Sequence, residues 1–301
     1  MNVLITGVDG FIGQHTYRLL AAKHNVFGVT RAPASIHSQA DIKMVFADLS
    51  DPAFVDSLPP NINCVIHLAQ SQRYRDFPDG ADDMRRINID ATCKLLEWAR
   101  KTRVKQFIFT SSANVYGKST AVLTESHPTQ PDSFYGASKL AAEHLVRQYQ
   151  QYFQVDILRL FTVYGPCQKG MLIPNIIERM NSGQPVTLAE GVGSFLTPVY
   201  VGDVVATIAK LIEMPSATPV RLLNVCGDKV THLGEIVKAL EAAIGTQAHI
   251  ESTDEMAQYF TGANAALKAC LDLQQTTDIE KGLALTVKIR SFLNWPPLKY
   301  P

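Results

Sequence analysis

Short apolar runs alternate with longer amphipathic stretches along the first half of the chain. Residues 3–5, 26–29, 44–47, 64–68, 107–110 and 155–160 read as strands, and helical periodicity falls near 11–23, 51–57, 84–103 and 136–152. The strand runs are apolar throughout rather than alternating, as in a sheet buried on both faces, with the intervening helices as crossovers. The pattern predicts an α/β fold, a doubly wound parallel sheet.

Beyond Gly165-Pro166 the rhythm changes. Pro174 opens a predicted helix to about Asn181, and turn-rich 183–185 and 191–193 follow. A strand-like piece at 222–225 and a helix over 233–244 come next. Thr277-Asp278-Ile279-Glu280 has capping-box spacing and predicts a last helix to about Leu293, ahead of Pro296-Pro297. The expected organisation is a first domain over 1–165, to which 199–226 returns. A smaller C-terminal α/β substrate lobe over 166–301 is expected to close over a site on it.

Composition narrows the partners. With 46% hydrophobic and 19% charged residues, the 301-residue chain can bury a sizeable core. Lys+Arg and Asp+Glu both number 28, so no net field draws nucleic acid or an acidic membrane. The five cysteines are scattered and form no C-x-x-C pair, which argues against zinc or a disulfide framework, and no metal is expected. Cys64, in an apolar run, reads as a small buried hydrophobe. No apolar stretch approaches the roughly 18 residues of a membrane span. The chain opens straight into a strand without a basic leader pattern. The expectation is a reduced, cytoplasmic protein.

Thr6-Gly7-Val8-Asp9-Gly10-Phe11-Ile12-Gly13 lies between the first strand and the first helix. A pyrophosphate needs backbone N–H groups aimed at it. Gly7, Gly10 and Gly13 let the chain turn and approach without a Cβ in the way, and the helix N-terminus favours negative charge. The turn, with Phe11 and Ile12, therefore predicts a dinucleotide site and a Rossmann fold. An acid after the second strand usually marks NAD, whereas Arg suits the 2′-phosphate of NADP. Here Thr30-Arg31 stands at that place with no acid, so NADP is expected over NAD.

Tyr135 and Lys139 are four residues apart, on one face of a predicted helix. A phenol near pKa 10 is a poor base at pH 7 unless nearby cations, here Lys139 and the positive nicotinamide, favour the phenolate. Ser112 ends a predicted strand, where α/β sheets place ligand groups. Ser112, Tyr135 and Lys139 are thus the candidate reacting centre.

In this order the residues resemble an extended short-chain dehydrogenase/reductase, of the NAD(P)-dependent sugar-nucleotide epimerase/dehydratase family. The likeness runs through the glycine turn, Asp48-Leu49, His67-Leu68-Ala69, Asn88, the Ser112 segment, Tyr135-x-x-x-Lys139, Tyr164-Gly165-Pro166, 199–203 and Asn224-Val225. It implies that Asp48 and Leu49 contact the adenine, that Leu68 and Ala69 line the dinucleotide, and that Lys139 binds the nicotinamide ribose. Ser112 aligns with the family's catalytic Ser/Thr. Asn88 and Asp203 read as structural. The resemblance also implies a homodimer through the helices near 84–103 and 136–152, where Leu140, Leu145, Val146, Tyr149 and Tyr152 offer apolar positions.

The departures matter too. Dehydratases of this family carry Asp-Glu after the catalytic Thr; here Ala113-Asn114 stands there, which argues against water elimination. Thr162 replaces a family Asn, and Thr162 and Asn114 are candidate substrate contacts. The family's phosphate-binding Arg is absent from 194–198; Arg73, Arg75, Arg85 or Arg86 are alternative sources of charge. The expected activity is epimerisation or reduction at a secondary alcohol or ketone of a sugar or nucleotide-sugar. Two alternatives stay open: a reductase of a small non-nucleotide carbonyl compound, and a non-catalytic NADP-binding sensor.

Overall fold

In the computed structural model of the protein, residues 1–31, 43–214, 216, 218–273 and 276–289 are described. Val3, Leu4 and Ile5 are fully buried, and their strand β1 (Asn2–Thr6) runs inside a seven-stranded sheet. The other strands are β2 (Asn25–Thr30), β3 (Lys43–Phe46), β4 (Cys64–His67), β5 (Gln106–Ser112), β6 (Gln154–Leu160) and a seventh, Val220–Val225. Their order is β3-β2-β1-β4-β5-β6-seventh, with β1 parallel to β2 and β4, β2 to β3, and β4 to β5. The order reverses between β1 and β4, and α/β sheets take ligands at the C-terminal ends of strands beside such a switch. The expected doubly wound sheet is the fold of this protein.

The helices are α1 (Phe11–Ala21), α2 (Ala81–Met84), α3 (Ala91–Lys101) and α4 (Phe134–Gln148). A π-turn over Arg85–Asp90 joins α2 to α3, so the predicted helix of 84–103 is a run of 81–101 interrupted there. Ser133 caps α4 by accepting from the Gly136 N–H at 3.1 Å, and α4 ends four residues earlier than its apolar pattern suggested. The predicted helix at 51–57 is only a 3-10 turn, Phe54–Ser57, whose Phe54 plugs the core.

Two compact units divide the chain: Met1–Gly117, Pro128–Arg159 and Thr207–Leu223 in the first, and Lys118–His127, Leu160–Ala206 and Asn224–Pro301 in the second. Two segments fall otherwise than the sequence rhythm suggested. Residues 118–127 belong to the second unit because Leu123 exchanges backbone hydrogen bonds with Thr261 and Ala263. The returning segment is 207–223 rather than 199–226. Asp203, within its first part, accepts from the Thr277 N–H and hydroxyl, both at 2.8 Å, in the second unit.

Among the described residues the second unit carries helices Leu172–Asn181, Leu233–Ile244, Ala265–Leu271 and Ile279–Lys288 and three small sheets. His232 and Glu235 form a reciprocal cap on Leu233–Ile244. Asp278, not Thr277, caps the last helix, and the expected continuation to Leu293 lies outside the described residues. Residues 201–213, helical throughout, gave no helical reading from sequence, since their apolar run resembles a buried strand.

Candidate active site

The glycine turn closes tightly. Gly7 has φ +71°, and a Cβ on it would lie 2.7 Å from the Ala69 nitrogen; a Cβ on Gly13 would lie 2.1 Å from the Gly7 oxygen. A side chain at either position would have to displace backbone. Leu68 and Ala69, just past β4, are half-buried against the turn, with the Leu68 N–H donating to the Thr6 carbonyl at 3.2 Å. A cradle of bare backbone at a helix N-terminus suits a diphosphate. The residues present therefore fit a dinucleotide.

Other residues singled out for the dinucleotide stand as follows. Phe11 and Ile12 open α1, half-buried, and the Phe11 ring meets His15 edge-on at 5.2 Å. Thr30 is buried at the end of β2, and its hydroxyl donates to the Asp9 carboxylate. Arg31 follows it, exposed. Asp48 is exposed and accepts from the Ser50 N–H at 2.9 Å; that bond, more than the charge of Arg31, holds its carboxyl below the usual range. The Leu49 side chain is part of the hydrophobic core.

One strand over from β4, β5 ends at Ser112. Its Oγ accepts from the Asn114 N–H at 3.2 Å and from Asn114 Nδ2 at 3.1 Å. Asn114, expected at the substrate, thus orients Ser112. On α4, Tyr135 Oη donates to Gln70 Oε1 at 2.7 Å, and its ring lies 5.3 Å from that of Tyr74. The sequence pattern did not single out Gln70 or Tyr74, which lie in an irregular loop far from Tyr135 in sequence.

Electrostatics differ from the expectation. Burial pushes the Tyr135 phenol up, and its hydrogen bond with Ser112 only opposes that shift. Lys139 is buried, with Nζ 4.4 Å from the Phe109 ring centroid, and burial pushes its pKa down to about 7 against the raising field of Glu143. Burial thus works against the acidification of Tyr135 expected from Lys139 and the positive nicotinamide. His67, pushed down to about 3 chiefly by burial, is neutral and bridges the Thr6 and Thr92 hydroxyls at 2.6 and 2.9 Å.

A buried ammonium with a depressed pKa has a consequence for stability. Above the unfolded value of about 10.5 Lys139 is neutral in both states; as pH falls from there to about 7, only the unfolded chain takes up the proton. Stability is lost over that window and stays lost below it. Lys139→Met should therefore raise the melting temperature at pH 7, by on the order of 3 kcal/mol in stability. The gain should shrink toward pH 10; a gain that does not change with pH would mean that packing, not charge, is its source.

Asn88, within the π-turn, ties the surroundings of Tyr135 together. Its Oδ1 accepts from the Ser71 N–H and its Nδ2 donates to Ser138 Oγ, both at 2.9 Å, while Ser138 Oγ donates to the Tyr135 carbonyl at 2.8 Å. One helical turn beyond Lys139, Glu143 takes a two-pronged ion pair from Arg159 of β6, with Nε–Oε1 at 3.0 Å and Nη2–Oε2 at 2.7 Å. Both side chains are buried.

The substrate-side expectations fare unevenly. Thr162 lies in the second unit, half-buried, and its carbonyl accepts from the Val199 N–H at 2.9 Å. Where the family places an Arg, Thr197 is buried and accepts from the Gly262 N–H at 3.0 Å, and Phe195 stacks on Tyr259 at 4.8 Å. Of the alternative cations, Arg73 pairs with Asp76, Arg85 with Asp82 and Asp90, and Arg86 with Asp82; Arg75 lies over the Tyr74 ring at 5.1 Å. Among the described residues no group of three or more His, Cys, Asp or Glu could hold a metal, and no helix is long and apolar enough to cross a membrane.

The chain is 27% identical over 313 residues to a protein named uncharacterized UDP-glucose epimerase YtcB of Bacillus subtilis (strain 168), covering 97% of this chain and 99% of that one. Among solved structures, MoeE5 in complex with UDP-glucuronic acid and NAD superposes with a TM-score of 0.86 at 27% identity, over 96% of this chain and 98% of that one. The UDP-glucose 4-epimerase of Thermus thermophilus in complex with NAD gives a TM-score of 0.81 at 26% identity, with the same coverages. NAD, not NADP, is the dinucleotide in these structures, so the NADP preference suggested by Arg31 finds no support in them. The model of the NAD dependent epimerase/dehydratase family matches residues 3–226, and the chain belongs to that family, as an NAD(P)-dependent enzyme of the extended short-chain dehydrogenase/reductase type.

Proposed function

We propose that this enzyme is a 4-epimerase of a UDP-linked sugar, with NAD as the resident dinucleotide. The observation that supports this most is Ser112 at the C-terminal end of β5, with Tyr135 and Lys139 one helical turn apart on α4 and Lys139 Nζ over the Phe109 ring of that strand. The named substrates and ligands of its relatives point the same way. A bound NAD would supply reversible hydride acceptance at the sugar carbon, the chemistry that inverting a carbinol centre needs. Tyr135 takes the hydroxyl proton and gives it back, with Ser112 holding the reacting oxygen and Asn114 holding Ser112. Lys139 binds the nicotinamide ribose, and its charge, kept up by Glu143, lowers the cost of the phenolate. Ala113-Asn114 supplies no acid–base pair, so elimination of water has no proton carriers. Among the described residues none of the five cysteines is in a disulfide, which suits a reducing, cytoplasmic setting.

The test is incubation with UDP-glucose and, separately, UDP-glucuronic acid, followed by proton NMR of the sugar. Appearance of the 4-epimer without net cofactor reduction supports the reading. Stoichiometric cofactor oxidation with simple ketones, and no epimer, would assign the protein to the small-carbonyl reductases instead. Dinucleotide binding without either reaction would leave the sensor.

A homodimer through α3 and α4 belongs to the same proposal. Val146 is in the core and cannot serve it, but Tyr152 is exposed and Leu145 and Tyr149 are only partly buried. Light scattering at tens of micromolar should give twice the chain mass; the monomer mass would reject the dimer.

A further inference from the structure

The second strand ends without an acid, yet an acid stands at its end. Asp9, in the turn between β1 and α1, accepts a hydrogen bond at Oδ2 from the hydroxyl of Thr30, the last residue of β2. The Asp9 carbonyl accepts from Gln14 Nε2 at 2.7 Å, and the Gly10 N–H closes onto the Gly7 carbonyl at 3.0 Å, so the turn that carries Asp9 is held at both ends. The other carboxylate oxygen, Oδ1, is buried and has no hydrogen-bond partner among the described residues. A buried carboxylate oxygen without a donor is costly, and a ligand hydroxyl is one way to satisfy it.

In dinucleotide-binding sheets the acid that receives the ribose 2′-hydroxyl stands at the C-terminal end of the second strand. Thr30 draws the Asp9 carboxylate to that place. We propose that Asp9 is the specificity-determining residue of the dinucleotide site. It accepts from a free ribose 2′-hydroxyl and repels a 2′-phosphate, which selects NAD over NADP; the inference rests on the dinucleotide use proposed above. A 2′-phosphate brings up to two negative charges and no donor to Oδ1, so it meets both repulsion and an unsatisfied oxygen. Arg31 is the competing element. It is exposed, and part of its field falls on the Asp48 carboxylate.

The glycine motif names the phosphate turn, and its variable positions carry no message in the pattern. Only the fold shows that the third residue of the turn reaches the end of β2.

The experiment is calorimetric titration of nucleotide-stripped protein with NAD and with NADP, for the parent, Asp9→Asn, Thr30→Val and Arg31→Ala. Asp9→Asn keeps the shape and an acceptor for Thr30 but removes the charge. The parent should bind NAD at least tenfold more tightly than NADP. Asp9→Asn should improve NADP binding about tenfold or more while NAD falls by only a fewfold. Thr30→Val, which releases the carboxylate, should weaken NAD by a fewfold, and Arg31→Ala should weaken NADP more than NAD, since it removes the cation that competes with Asp9. A parent that prefers NADP, or an NAD/NADP ratio unmoved within twofold by Asp9→Asn in a protein with parental circular dichroism, overturns the assignment. A parent that binds neither nucleotide overturns the dinucleotide reading itself, and the assignment falls with it.

Discussion

Tyr135→Phe is expected to bind the dinucleotide as the parent does and to transfer hydride about 10²–10⁴-fold more slowly, the range typical of a lost general acid–base group. The change removes one oxygen, which in the free protein donates to Gln70 and bonds Ser112. Ser112 stays bonded to Asn114, and Gln70 is exposed to water, so the fold should survive. Lys139→Met separates differently: a residue that binds the ribose as well as supporting the phenolate should lose dinucleotide affinity and rate together. The decisive measurement is single-turnover hydride transfer in Tyr135→Phe protein shown to be folded and nucleotide-bound. Transfer within a few-fold of the parent would reduce Tyr135 and Lys139 to neighbours on one helix face.

The largest stability effect is expected at Glu143. Arg159 cannot lose its proton, and it lies buried across the ring of Tyr116, 4.6 Å from the ring centroid. In Glu143→Gln the guanidinium keeps an amide acceptor but loses its counter-charge. Removing one partner of a buried pair typically costs about 3–5 kcal/mol, because an uncompensated charge is left inside. Urea unfolding of the nucleotide-free protein should show a loss of this size for Glu143→Gln. The double variant Glu143→Gln, Arg159→Met should recover most of it, since no buried charge then remains. The same single variant removes the field that keeps Lys139 charged, so the pH at which dinucleotide affinity is half lost should move down. A loss under about 1 kcal/mol, with no rescue in the double variant, would show that water or another acceptor reaches Arg159.

Much of the architecture was legible because local and global preferences agree. The runs at 3–5, 64–68 and 107–110 are apolar on both faces, and such segments are driven to the middle of a covered sheet whatever surrounds them. Gly7 and Gly13 tolerate no Cβ, so their spacing alone marks the turn. Tyr135 and Lys139 share a face because four residues make about one helical turn. Family membership follows from these same residues.

Other features depend on groups distant in sequence, which no local pattern carries. The predicted helix at 51–57 shrank to one 3-10 turn because burying Phe54 satisfied its apolar signal. Val146, apolar on a surface-like helix, proved to be core, and Leu49 likewise. The phenol and ammonium shifts come chiefly from burial, a tertiary quantity that the helix spacing of Tyr135 and Lys139 does not carry. The reach of Asp9 to Thr30 spans 21 residues and closes only when β1 and β2 pair in parallel. Sequence thus determined which backbone turns and which side chains stand at the sheet's C-terminal edge, since propensity and burial act within a few residues. Tertiary structure decided their charge states and which acid stands at the end of β2, since desolvation and hydrogen bonding depend on whatever chain folds alongside.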